Sequence, residues 1–149
     1  MLFRSHLVAK TTLDGQMLQE WRWPAENGKY QKEDQYAPSW TLHPPDGSFY
    51  VLDGYGRDYI MHYGADGRLA RTFGGAEGGI AHWGPHGGMA DVRDPRRPSL
   101  LIAMSDQQHL LRLDLAGRPL ARIPLPGGNP RQIRFHDGHF FVEIGRAHV

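Results

Sequence analysis

Two short segments carry residue types from which a site can be built. Trp83-Gly84-Pro85-His86-Gly87-Gly88 sets an imidazole between a proline and two glycines. Proline stiffens the approach, and glycine lets backbone come close to a ligand. A neutral imidazole so placed can bind a metal ion. It can equally be a polar residue held by a backbone carbonyl. Asp53-Gly54-Tyr55-Gly56 aims a phenol from a turn flanked by glycines. Tyr55 can donate a hydrogen bond, act as general acid or base, stack on a ligand, or lie as a lid over a sheet edge. Asp53 reads also as structural, because a carboxylate there can accept hydrogen bonds from the amides of its own loop. Asp53, Arg57, Trp83 and Asp106 are the ligand-binding residues expected around Tyr55 and His86.

Other constellations fall away. His82 lies four residues before His86, but Gly84-Pro85 makes a helical pair of the two untenable, so His82 reads as a surface residue. Gly74-Gly75-Ala76-Glu77-Gly78-Gly79 is not a phosphate loop, because no Gly-Lys-Ser/Thr follows and no helix begins. Arg93, Arg96 and Arg97 surround Asp94-Pro95 and read as a solvated turn. No serine or cysteine triad is present.

The elements that position these residues recur. A turn at Asp14-Gly15, Asp66-Gly67 and Ala116-Gly117 repeats at roughly 50-residue spacing, within the range of propeller repeats. Asp-Gly suits such turns because glycine accepts positive φ and aspartate tolerates it. Short apolar runs flank each turn. The clearest copy runs through Trp40 to Leu42, Phe49 to Leu52, Tyr59 to Tyr63 and Leu69 to Phe73, with a further turn at Asp46-Gly47. No stretch sustains a helical apolar period, and Gly and Pro interrupt most windows of helical length. The pattern predicts an all-β, open, partial β-propeller with two complete four-stranded blades and two half blades. The expected boundaries are a half blade over 1–23, blades over 39–73 and 86–123, and a half blade over 130–143. A β-sandwich is the competing architecture, but it does not require turn chemistry to recur in one register.

Strand parity then sorts the loops. In an up-and-down blade, the connections from second to third strand and from blade to blade emerge at one end. Here these are the long segments 21–38, 53–58, 74–88 and 104–108. Long loops gathered on one end of a rigid scaffold are where binding residues sit. Tyr55, His82, Trp83, His86 and Asp106 are therefore expected on one face.

At 149 residues with a formal net charge of +1, the chain shows no basic stripe and no general pull toward nucleic acid or anionic membrane. It has no cysteine, which excludes disulfides and thiolate metal sites. No apolar run approaches a membrane span. A complete propeller of this period needs about 200 residues or more. The missing blades of the same propeller are thus expected partners, beside a small molecule or peptide. Met1-Leu2-Phe3-Arg4 is followed by no apolar segment of signal-peptide type, and Met1 is expected to be an internal codon. Residues 144–149, Ile144-Gly145-Arg146-Ala147-His148-Val149, can be spelled by a common short-read sequencing adapter. They are expected to be adapter-encoded, and no function is placed on Arg146 or His148.

Phe49-Tyr50-Val51-Leu52-Asp53-Gly54-Tyr55-Gly56, Phe73-Gly74-Gly75 and Pro85-His86-Gly87 resemble NHL-repeat propellers, most closely the branch related to peptidylglycine α-amidating lyase. The resemblance runs from Leu7 to Val142. It implies a six-bladed propeller whose zinc is held by three histidines, each in a Pro-His loop of alternate blades. His86 matches one such ligand, while the neighbouring blades begin at Pro38-Ser39 and Pro130-Arg131. The family's catalytic tyrosine matches Tyr55. Where the family has an Asp-Arg pair, this chain has Met104-Ser105. The leading expectation is a noncatalytic scaffold that binds a ligand or partner through the loop-rich face. The alternative is part of a zinc-dependent lyase-like enzyme, with His86 a zinc ligand in the full-length parent and Tyr55 the acid or base. By the same resemblance, such a parent is exported from the cytoplasm.

Overall fold

A computed structural model of the chain describes residues 6–79 and 82–145. The readings placed on Met1 to Arg4 and on Arg146 to Val149 lie outside the described residues. Among those residues, twelve strands form four antiparallel sheets. A two-stranded sheet comes first, from β1 (Leu7–Thr11) and β2 (Met17–Arg22). The first complete blade holds β3 (Trp40–Leu42), β4 (Phe49–Leu52), β5 (Tyr59–Tyr63) and β6 (Leu69–Gly74). The second holds β7 (Pro85–Asp91), β8 (Ser99–Met104), β9 (His109–Asp114) and β10 (Pro119–Pro124). A last two-stranded sheet pairs β11 (Asn129–His136) with β12 (His139–Gly145). This is an open partial propeller of two whole blades and two half blades.

The recurring turns hold one register. Gly15, Gly67 and Gly117 all adopt positive φ, at 90°, 76° and 91°. In the second and third of these turns the preceding aspartate fixes the chain: Arg68 N donates to Asp66 Oδ1 at 3.0 Å, and Arg118 N to Asp114 Oδ1 at 2.9 Å. Register inside the blades follows, with Val51 facing both Thr41 and Met61, and Leu101 facing both Met89 and Arg112.

The apolar runs of β4 and β8 are buried along their whole length because each sheet packs on both faces. Side chains then alternate between layers. Tyr50, Leu52 and Ile60 meet Leu100, Ile102 and Met104 in the layer between the two complete blades. Phe49, Val51, Met61 and Tyr63 face the other way, toward Val8, Trp21, Tyr30 and Tyr36. Leu101, Ala103 and Leu110 meet Ile133, Phe140 and Val142.

Two details differ from the sequence expectation. The inner strand of the second blade begins at Pro85, so His86 belongs to the strand rather than to the loop before it. Proline is tolerated there because it stands at the first strand position. Arg93 is no free turn residue: it clamps buried Asp91 at 2.8 Å and lies over the Phe140 ring, 4.5 Å from its centroid. At the far end β12 runs on through Gly145, with Ile144 opposite Pro130 and Gly145 opposite Asn129. No helix among the described residues is long and apolar enough to cross a membrane.

Candidate functional site

The long connections meet at one end of the sheets, as strand parity requires. Tyr55 N donates to Ala37 O at 3.2 Å, which ties the 53–58 turn to the 21–38 segment. Gly84 N donates to Asp58 Oδ1 at 3.1 Å, and Ser105 N to Gly84 O at 2.9 Å, which ties in the 82–86 and 104–108 segments.

At the centre of this face Tyr55 Oη is hydrogen-bonded to His86 Nε2. The two rings stand edge to face, with centroids 5.0 Å apart and planes at 84°. Tyr55 is 59% exposed, so the pair is open to solvent on the tyrosine side. The backbones come equally close. A Cβ on Gly54 would land on the Pro85 carbonyl oxygen, and only glycine lets the turn approach this strand. Ser39 bridges the two segments: its hydroxyl donates to Pro85 O at 2.9 Å and accepts from Gly54 N at 3.2 Å.

Burial depresses the His86 pKa below the usual histidine value, and the Arg131 charge adds to this; the Arg131 main chain and the Glu143 and Asp106 carboxylates pull the other way. The ring is therefore neutral at neutral pH. Its Nδ1 is buried without a hydrogen-bond partner, while Nε2 meets the Tyr55 hydroxyl. In the tautomer with hydrogen on Nδ1, Nε2 accepts from the Tyr55 hydroxyl. Such a pair can offer an oriented phenol to a ligand, or relay a proton between phenol and imidazole.

The other residues expected at the site divide. Asp106 is exposed and lies beside Gly84, where a Cβ would stand 2.8 Å from its Oδ2. Its charge acts on both His86 and Asp58. His82 is exposed, as read from the sequence, with φ of 51°. Arg57 is exposed, and its charge acts on Tyr59 and Glu77. Asp53, expected to bind ligand, is fully buried. Its oxygens accept from Tyr30 Oη, Ala37 N and Arg57 N, each at 2.7 Å, so it braces the Tyr55 turn from beneath. Desolvation pushes its pKa up to about 6 against those hydrogen bonds. Trp83, also expected at the binding surface, is only 2% exposed and belongs to the layer between the complete blades. The chain reverses at Gly84, φ 54°, and the indole turns inward under Gly78, where a Cβ would stand 2.5 Å from it.

Ser39 and Arg131 were missed as site residues. Their signal was positional: both follow a proline at the start of an inner strand, as His86 does. His86 is the one candidate metal ligand that the sequence singled out. No three His, Asp or Glu side chains among the described residues are grouped to hold a metal, and His86 Nε2 is engaged by Tyr55.

No family model and no curated protein matches the chain. Solved structures do match its fold. Virginiamycin B lyase from Staphylococcus aureus superposes with a TM-score of 0.64 at 18% identity, covering 87% of this chain and 39% of that one. A catalytically inactive histidine-to-alanine variant of the same lyase with quinupristin gives 0.60 at 16% identity, covering 86% and 38%. A protein of unknown function from Bacteroides caccae gives 0.61 at 20% identity, covering 95% and 47%. The chain thus spans less than half the length of each of these structures, and the likeness is one of β-propeller fold.

Proposed function

We propose that this chain is the ligand-binding part of a β-propeller, taking a small polar molecule or a peptide end at the mouth formed by Tyr55, His86, Arg131 and Asp106. The observation that carries this reading is the solvent-exposed Tyr55 hydroxyl held by a neutral, half-buried His86 from the next blade. Orienting a donor in this way lowers the ordering cost that a ligand must otherwise meet. The Arg131 cation and the Glu143 and Asp106 carboxylates all act on His86, and charges of both signs suit a zwitterionic or amide-ended ligand better than a nucleic acid.

The test is calorimetry of the chain with two probes: quinupristin, and a short peptide ending in a hydroxylated amide. Tyr55→Phe and His86→Ala are run in parallel. Binding of either probe that weakens in both variants supports the reading. Binding that neither substitution alters contradicts it.

A second reading, part of a lyase-like enzyme, is favoured by the same contact. A neutral imidazole that accepts from a phenol is a competent acid–base pair, and two of the solved structures similar in fold are of a lyase. His86 would be one ligand of the zinc that the NHL resemblance implies for a longer parent, and no step is routed through that metal. Mass spectrometry of the same probes after incubation separates the readings. Binding without bond cleavage favours the scaffold, and cleavage that stops in Tyr55→Phe favours the lyase.

A further inference from the structure

A groove of about 780 Å³ runs along the outer rim between the first sheet and the first complete blade. Its long walls are β2 and β6, the outermost strands of those two sheets. Trp21, Trp23, Tyr63 and Leu69 line it with rings and aliphatic surface. Specific bonds hold the walls together. Near Gly67, Trp21 Nε1 donates to the Gly67 carbonyl at 2.9 Å. Near Thr72, the 24–29 segment folds against β6: Asn27 Nδ2 donates to Thr72 Oγ1 at 3.2 Å, and Lys29 pairs with Glu77 at 3.1 Å. Strands that complete the first sheet would join it at β1, away from this groove.

Charge decides what the groove takes. Arg22 is paired with Glu20 at 2.8 Å, as Lys29 is with Glu77. That leaves Arg68 and Arg71 against a single carboxylate, Glu26, along the groove. Arg71 donates to Ala116 O at 3.0 Å and keeps its charge, and Arg68 has no ion-pair partner among the described residues. The excess is positive and suits a ligand that brings carboxylates. The backbone adds a second handle. Among the described residues β6 pairs with β5 alone, so its outer edge presents unpaired amides and carbonyls. The same edge of the next blade, β10, is blunted by Pro119 and Pro124, whereas β6 carries no proline.

We propose that this groove docks an extended acidic peptide, added as a strand along the open edge of β6. In this mode main-chain hydrogen bonds give affinity, and pockets for alternate side chains give specificity. The two faces of β6 differ in the required way. Leu69 packs toward Trp21 and Trp23, whereas Arg71 turns to the next blade and its Ala116 carbonyl. Side chains of an added strand alternate between the same two faces. Apolar ones then lie on Trp21 and Trp23, acidic ones turn toward Arg71, and Arg68 meets a carboxylate at the strand end. A peptide matching the six residues of β6 spans about 20 Å. None of Tyr55, His86, Arg131 and Asp106 borders this groove, so the proposal stands apart from the reading of the mouth.

Fluorescence anisotropy of the 149-residue chain tests this with a labelled, end-capped hexapeptide that alternates glutamate and valine. Two control peptides carry lysine in place of the glutamates, or proline in place of the valines. The acidic peptide is expected to bind in the micromolar range, and each control at least about tenfold more weakly. Arg68→Glu reverses the charge of an exposed turn residue. It is expected to weaken the acidic peptide about tenfold or more, with the circular dichroism of the chain unchanged. Tyr55→Phe, at the mouth, is expected to leave this binding as it is. No binding of the acidic peptide at millimolar concentration overturns the proposal. So does equal binding of either control peptide, or binding that Tyr55→Phe weakens and Arg68→Glu does not. Self-association of the chain that Arg68→Glu abolishes would make a second copy the occupant and overturns it as well.

Discussion

Tyr55 and His86 lie 31 residues apart and are hydrogen-bonded across two blades. The contact is built by the backbone as much as by the side chains. Gly54 abuts the Pro85 carbonyl, and the Ser39 hydroxyl bonds to both. Asp53 holds the tyrosine turn from below through three hydrogen bonds. The pair is thus fixed by groups outside it, which is the arrangement a preorganised site requires.

Gly54→Ala tests that close approach. The new methyl group has to displace backbone, since the atom it meets is a main-chain oxygen. The expected loss is about 1–3 kcal/mol in chemical denaturation, the range for overpacking a tight site. A variant as stable as the wild type would show that the two segments are not wedged together.

Tyr55→Phe separates orientation from stability. The tyrosine is exposed, so the unfolding free energy is expected to change by no more than about 0.5 kcal/mol. The imidazole nitrogens of His86 should respond strongly. In the wild type their 15N shifts are expected to report hydrogen on Nδ1, and in the variant that preference should relax. Identical 15N spectra in the two proteins would mean that the hydroxyl does not engage Nε2.

Asp53 gives the pH dependence a sign. Its folded pKa, about 6, lies above the ordinary value of 3.8, so between these values the folded chain holds the proton more firmly than the unfolded chain. Its contribution to stability is full below 3.8 and is lost as pH rises through about 6. His86 contributes in the opposite sense. Its pKa is depressed from 6.5, so its contribution is full above 6.5 and declines as pH falls through the lower folded value. Carboxyl 13C titration should show Asp53 inflecting near 6, and an inflection at or below 3.8 would contradict its burial.

Trp83 and Arg57 should behave as opposites, although the sequence put them in one group. Trp83→Ala empties a place in the layer between blades and is expected to cost about 3–5 kcal/mol. Arg57→Ala removes an exposed side chain and is expected to stay within about 0.5 kcal/mol. Urea denaturation of both variants decides the contrast, and equal losses would contradict it.

The blade register was legible because Asp14-Gly15, Asp66-Gly67 and Ala116-Gly117 carry their conformation in two residues each, independent of distant contacts. The shared face of Tyr55 and His86 was legible for a related reason: parity needs only strand count. Direction of a side chain within a loop was not legible. Trp83 turns inward because Gly84 reverses the chain and Gly78 leaves space above the indole, a contact across the 74–88 loop that local sequence does not encode. The bracing role of Asp53 was half legible. Its loop amide from Arg57 follows from local turn chemistry, whereas Tyr30 and Ala37 reach it from another segment. Ser39 was overlooked because a serine at a strand start is chemically unremarkable until the Pro85 carbonyl comes beside it.

A binding role for the Tyr55–His86 face is decided by where a ligand lands on the chain. A small-molecule and short-peptide fragment library, screened by NMR on the isotopically labelled 149-residue protein, maps this residue by residue. Bound fragments are expected to shift the Tyr55 ring, the His86 imidazole and the Arg131 and Asp106 signals together, and Tyr55→Phe to weaken those responses. Shifts confined to the opposite end of the sheets, around Asp46-Gly47, Asp94-Pro95 and Asp137-Gly138, would contradict it.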